Sequence, residues 1–207
     1  MEGNEFLDTN IVLDYINYNK KSSSKIKKSY DYVLNAKGKI ILCGMVIYEL
    51  NKINLKKSRI HKAVLCLLED ENYSLSEILS KKEEPFAKKL HARFKEFNKE
   101  RLSELFSQER TLFEIGLEKF LKFKVFKRVI SLQEIDMFLA NEIRGYIENI
   151  DDCKILASAL QFQKDQKELF NFVTSDVHDF DPNTYDYLKD QEFFSTYKFP
   201  KLVNLGY

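Results

Sequence analysis

Short apolar runs that stop at a polar residue constrain this chain most, because four of them stand beside a carboxylate. Asp8 follows Phe6 and Leu7, Glu49 follows the run 40–48, Asp152 opens the run 153–160, and Asp176 follows 169–175. Such runs are how buried parallel strands read where they leave a sheet at its carboxyl edge. Open α/β sheets place their sites at that edge. Carboxylates gathered there repel one another unless a hard divalent cation holds them. The pattern therefore predicts metal-dependent phosphoester chemistry.

The rest of the first fifty residues fits an α/β fold with a central parallel sheet flanked by helices. Residues 5–7 read as a brief strand and 9–18 as the start of a helix or turn. Ser22-Ser23-Ser24 offers an N-cap for a helix over 25–36, in which Ile26, Tyr30 and Val33 share one face and Gly38 is the stop. Residues 39–43 read as a buried strand, followed by a helix starting near Met45 that carries Glu49 in its first turns. This βαβα order favours parallel pairing.

Residues 54–130 follow a different pattern, with dense Lys and Glu, a single Pro at 85, and Leu and Phe at helical intervals. Phe86, Leu90, Phe94 and Phe97 recur at three and four residues, as do Leu102, Leu105 and Phe106, which reads as packing between helices. Pro85 suits a first helical turn. The stretch is expected to be a helical insertion of two or three long helices within a single domain of 207 residues. Beyond it, Ser131-Leu132-Gln133-Glu134 resembles a capping box, and Ile135, Phe138, Leu139 and Ile143 would form a helical face. Residues 152–163 form a second helix with Ile155, Leu156, Ala159 and Leu160 inward. Residues 169–174 and 201–205 read as strands.

The net charge of +1 predicts no overall attraction to polyanions. Residues 51–130 nevertheless carry 19 Lys or Arg against 12 Asp or Glu, and residues 141–207 carry 7 against 12. A basic middle facing an acidic end would suit phosphate contact in one part and metal in another; solvated helix faces account for the same asymmetry. Cys43, Cys66 and Cys153 show no paired spacing, and His61, His91 and His178 stand alone, so neither a disulfide framework nor a zinc site is indicated. The histidines read as surface or supporting residues. No signal peptide is visible and no run is long enough to span a bilayer, so a soluble, cytoplasmic protein with no membrane partner is expected.

Four segments together resemble the PIN-domain nucleases, whose members include the VapC-type toxin ribonucleases. They are Phe6-Leu7-Asp8-Thr9-Asn10, Val46-Ile47-Tyr48-Glu49-Leu50, the stretch 152–160 from Asp152 to Leu160, and Val173-Thr174-Ser175-Asp176 with Asp179-Phe180 behind it. The resemblance covers roughly residues 4–52 and 141–207. It implies a PIN-like fold and hydrolysis of phosphodiesters with one or two Mg²⁺ or Mn²⁺ ions. It implies a substrate of single-stranded RNA ahead of DNA. It also admits the role of a toxin, with an antitoxin or other protein partner and a homodimeric state.

Under this reading Asp8, Asp152 and Asp176 bind metal directly, and Glu49 binds through water or orients the nucleophile. Asn10 and Thr174 position carboxylates or waters, and Asp179 is an extra ligand. Asp151 rivals Asp152 but suits a helix N-cap better. Two departures from the family stand out: the polar opening Met1-Glu2-Gly3-Asn4, and the long gap between Glu49 and Asp152. A haloacid-dehalogenase-like phosphatase would need an Asp where Asn10 stands. The remaining alternative is a non-catalytic module that binds protein or RNA through the helical insertion.

Overall fold

The brief apolar runs become strands. In the computed structural model, which describes residues 4–19 and 21–207, they are β1 (Glu5–Leu7), β2 (Ile40–Cys43), β3 (Val125–Val129), β4 (Asn171–Thr174) and β5 (Lys201–Asn204). All five join one sheet in the order β3-β2-β1-β4-β5, and every pairing is parallel. Met1, Glu2 and Gly3 of the polar opening lie outside the described residues.

The helices are α1 (Thr9–Asn17), α2 (Ser24–Asn35), α3 (Gly44–Glu69), α4 (Glu84–Phe94), α5 (Lys99–Phe123), α6 (Met137–Ile143), α7 (Ile150–Lys164) and α8 (Pro182–Lys189). The chain divides into two compact units, one of residues 1–50 and 118–207, the other of residues 51–117.

The first unit holds the sheet. Phe6, on the central strand, stacks on Phe170 at 5.7 Å and lies 6.2 Å from Phe172, which meets Phe180 edge-on at 5.0 Å. All four rings are buried, each contributing about 1.5–3 kcal/mol of hydrophobic stabilisation. Helix α7 is buried on nearly every side, from Asp152 through Gln163, and packs against β2. Its small residues Ala157, Ser158 and Ala159 are fully buried. Ser158 satisfies its hydroxyl on the Lys154 carbonyl at 2.7 Å.

Three local expectations are revised. Val125–Val129 is not helical but pairs with β2 as an edge strand. Its exposed Lys127 and Arg128 are the kind of charge that protects a sheet edge from further pairing. The capping box at Ser131 and Glu134 exists, but it opens only a single 3₁₀ turn; α6 starts later, with Asp136 as its N-cap. Phe138 does not face inward, being 65% exposed.

The second unit is all helical in its regular structure. Its core gathers Ala63, Val64, Leu67, Leu75, Leu79, Ala87, Leu102 and Phe106. Pro85 sits in the first turn of α4 as expected. The buried Glu83 carboxylate accepts from the Ser80 backbone and hydroxyl and from Arg59 Nη2 at 2.7–3.0 Å. These contacts, the Ser80 backbone foremost, hold its pKa down at about 2.

The chain after β5 turns back over the loop that follows β4. Asn204 Nδ2 donates to the carbonyls of Asp176 and Phe180 at 2.5 and 2.8 Å, and Gly206 N donates to Asn204 Oδ1 at 2.8 Å. A Cβ at Gly206 would lie 2.5 Å from Val177 Cγ1 and 2.7 Å from the Ser175 carbonyl. Gly206→Ala should therefore push on the Ser175–Asp176 backbone and cost about 1–3 kcal/mol, the usual cost of overpacking. Urea denaturation of the purified variant checks this, and an unchanged midpoint would mean that the turn has room to give.

Candidate metal centre

In the order β3-β2-β1-β4-β5, the chain runs outward from β1 through β2 to β3 and then crosses back to β4. The sheet therefore reverses its direction of winding between β1 and β4. At such a switch point two adjacent strand exits open a crevice at the carboxyl edge. Asp8 leaves β1 and Asp176 lies just past β4. The sequence places a carboxylate on each side of the crevice.

Asp8 caps α1 and is 1% exposed. Its Oδ1 accepts from Thr9 N at 2.6 Å and its Oδ2 from Thr174 Oγ1 at 2.7 Å. The Thr174 hydroxyl also accepts from Asp176 N at 3.0 Å, so one side chain aligns both acidic positions. Asn10 Oδ1 accepts from Ser175 N at 3.2 Å, so it holds the backbone ahead of Asp176. Asp176 Oδ1 accepts from the backbones of His178 and Asp179 at 2.7 and 2.9 Å, folding Asp179 back beside it.

Asp152 reaches the same place from α7. Its Oδ2 accepts from Asn149 Nδ2 at 2.6 Å, while Asn149 Oδ1 caps the helix through Asp151 N. The N-cap role anticipated for Asp151 belongs to Asn149; Asp151 lies inside the helix and contacts Lys154 Nζ at 3.2 Å. Glu49, half-buried on α3, accepts from Thr9 Oγ1 at 2.5 Å.

Among the described residues, the carboxylates grouped closely enough to hold a metal ion are Asp152, Asp176 and Asp179, with one oxygen of each lying within 4.8 Å of the others; Asp8 and Glu49 are not part of that group. Asp179 thus belongs at the centre of the acidic group rather than at its margin. Asn149, Thr9 and Asn204 were missed as supporting residues. Asn149 had a readable signal, since an Asn three residues before a helical Asp is a capping arrangement. The contacts of Thr9 and Asn204 are long-range and left no local trace.

Charge follows from this crowding. Burial, with repulsion from Glu49 and Asp176, pushes the Asp8 carboxyl up to about 7 against the pull of its hydrogen bonds. Burial also raises Asp152 well above the ordinary carboxylate range, with Asp8, Asp179 and Glu49 adding to the effect. Among the described residues neither Asp8 nor Asp152 has a Lys or Arg ion-pair partner. All the donors are hard carboxylate oxygens, which fit Mg²⁺ or Mn²⁺ and would not suit a soft metal.

Comparison with protein-family models, with curated proteins and with solved structures gives no match.

The raised Asp8 pKa fixes the sign of a pH effect in metal-free protein. Below about pH 4 both folded and unfolded chains keep this proton. As pH rises towards 7 the unfolded chain releases it and the folded one retains it, so this group costs stability. Asp8→Asn removes the titration. In EDTA its stability relative to wild type should improve between pH 4 and pH 8, by up to about 4 kcal/mol at roughly 1.4 kcal/mol per pKa unit. Denaturation curves of both proteins across that range check this; a difference that stays flat with pH would refute the burial of an ionisable Asp8.

Proposed function

We propose that this protein is a divalent-metal-dependent phosphodiesterase with a PIN-like site, cleaving single-stranded RNA. The observation that carries the reading is the approach of the Asp152, Asp176 and Asp179 oxygens to within 4.8 Å, beside a buried Asp8 with no cationic partner among the described residues. Buried like charges are costly unless something neutralises them, and Mg²⁺ or Mn²⁺ is the neutralising group that hard oxygen donors fit. When bound, such an ion activates water and offsets charge on a phosphodiester. The preference for RNA over DNA rests on the resemblance of the four sequence segments to PIN-domain nucleases.

Each residue has a share that follows from its contacts. Asp152, Asp176 and Asp179 would hold the ion, with Asp8 completing the negative wall. Thr174 and Thr9 fix the Asp8 rotamer through its two oxygens, and Asn149 fixes Asp152. Glu49, held by the Thr9 hydroxyl, would bind the ion through water or orient the attacking water. Asn10 and Asn204 keep the backbone from Ser175 to Asp176 in position.

The test is cleavage of labelled single-stranded RNA by purified protein with Mg²⁺, Mn²⁺ or EDTA. Wild type should cut with either ion and not in EDTA. Asp8→Asn and Asp152→Asn should fold by circular dichroism yet lose about 100-fold or more, at least the loss seen when a residue merely supporting a ligand is removed. Metal bound only by the folded state should also stabilise the wild type by about 2.7 kcal/mol at a hundredfold excess over Kd, read as a higher unfolding midpoint. Asp152→Asn should blunt that rise. Cleavage that survives in Asp8→Asn, or a wild type inert with both ions, would overturn the proposal, the second outcome favouring a binding module.

A further inference from the structure

We propose that the helical unit carries a second binding site, a half-open cavity along α4 that takes a nucleobase together with its phosphate. The cavity encloses about 440 Å³, within the range of small-molecule sites. Choosing a nucleotide as the ligand rests on the phosphodiesterase reading of the carboxylate centre; the cavity itself does not.

Phe86, Leu90 and Phe94 line it from one face of α4, with Lys89 and Arg93 on the same lining and His61 opposite on α3. The spacing of Phe86, Leu90 and Phe94 reads as core packing, and Leu90 and Phe94 do pack against the core. Phe86 departs from that pattern: it is 57% exposed, with Lys56 Nζ 5.1 Å from its ring centre. An exposed ring, with Lys56 over it, stands where a buried one was expected.

The cations are as telling. Lys57, which also lines the cavity, is paired with Glu109. Elsewhere in this unit Arg59, Lys88, Lys95, Lys99 and Arg110 are each paired with a glutamate, while Lys56, Lys62, Lys81, Lys82 and Arg101 make no ion pair among the described residues. Lys89 and Arg93, one helical turn apart, have no carboxylate partner among the described residues, and the Arg93 guanidinium lies over the Phe94 ring at 5.6 Å. Two unneutralised cations beside aromatic surface suit an anionic ligand with a flat ring.

His61 supplies the third element. It is buried and stacked on Phe106 at 3.8 Å and 6°, so of the surface and supporting places the sequence allowed it, the surface one does not hold. Its Nε2 stands 3.6 Å from Glu109 Oε2, beyond a hydrogen bond, and Glu109 is held by Lys57 at 2.5 Å. The ring nitrogens make no hydrogen bond among the described residues. Burial lowers the His61 pKa, so a neutral imidazole offers one donor and one acceptor. An apolar floor, two cations without carboxylate partners and a neutral ring edge together match a base carrying a phosphate. A fatty acid would leave His61 unused, and inorganic phosphate would leave the rings unused.

The nucleotide could come free or within a single strand, and two probes distinguish these sources. Binding of adenosine monophosphate and of single-stranded hexaadenylate is measured by calorimetry in EDTA, where no cleavage occurs. Phe86→Ala and the double variant Lys89→Ser/Arg93→Ser should each weaken binding about tenfold, in line with roughly 1–3 kcal/mol per stacked base. All three substituted positions are exposed, and circular dichroism confirms the fold. Saturation by the hexanucleotide alone assigns the site to a strand, and saturation by the mononucleotide alone assigns it to free nucleotide. No binding of either probe, or equal affinity in both variants, overturns the proposal. Binding at this cavity is read in EDTA through Phe86, Lys89 and Arg93, and cleavage is read with Mg²⁺ or Mn²⁺ through Asp8 and Asp152, so failure of the carboxylate reading and failure of this one are told apart.

Discussion

Everything at the carboxyl edge depends on one hydrogen bond, from the Thr174 hydroxyl to the buried Asp8 carboxylate. It ties together the exits of the two strands between which the sheet reverses direction. Because the same oxygen accepts from the Asp176 backbone, the rotamer of one aspartate and the backbone of the next are set together. In a buried place such a bond is worth more than its usual ~1 kcal/mol, because losing it leaves one desolvated carboxylate oxygen, Oδ2, without a donor while Thr9 N still serves Oδ1. The acidic group is thus held from the β4 side by a residue that itself carries no charge.

Positioning by neutral groups recurs around the centre. Thr9 holds Glu49, Asn149 holds Asp152, and Asn204 holds the loop of Asp176. No Lys or Arg is used for any of these contacts. A cation there would have relieved the repulsion and pulled the aspartate pKa values down. Among the described contacts no such cation reaches Asp8 or Asp152, and both carboxyls stay raised.

Much of this was legible in the sequence because the sheet is parallel. A buried parallel strand shows as an apolar run, and the residue after it marks the carboxyl edge. That logic located β1, β2 and β4 and, through them, Asp8, Asp176 and the helix of Glu49. It failed at β3, where an edge strand exposed on both faces shows neither an apolar run nor clear alternation, and Val125-Phe126 against Val129-Ile130 mimics helical spacing. It also undervalued Asp179, whose approach depends on a turn closed by Asp176, and could not see Asn204, which acts across 28 residues. In residues 51–117 the spacing identified helices, but could not say that Phe86 stays open.

The Thr174–Asp8 bond joins residues 166 positions apart in the chain. The helical unit, by contrast, is confined to residues 51–117. Closing long loops is entropically costly, so distant strand pairs form late compared with local helices. A partly folded chain will therefore carry much of its helical signal while its carboxylates are still scattered and normally ionised. If the proposed site binds a divalent ion, its affinity would report on completion of the sheet, and the ion would be a selective ligand of the finished fold and a brake on its unravelling.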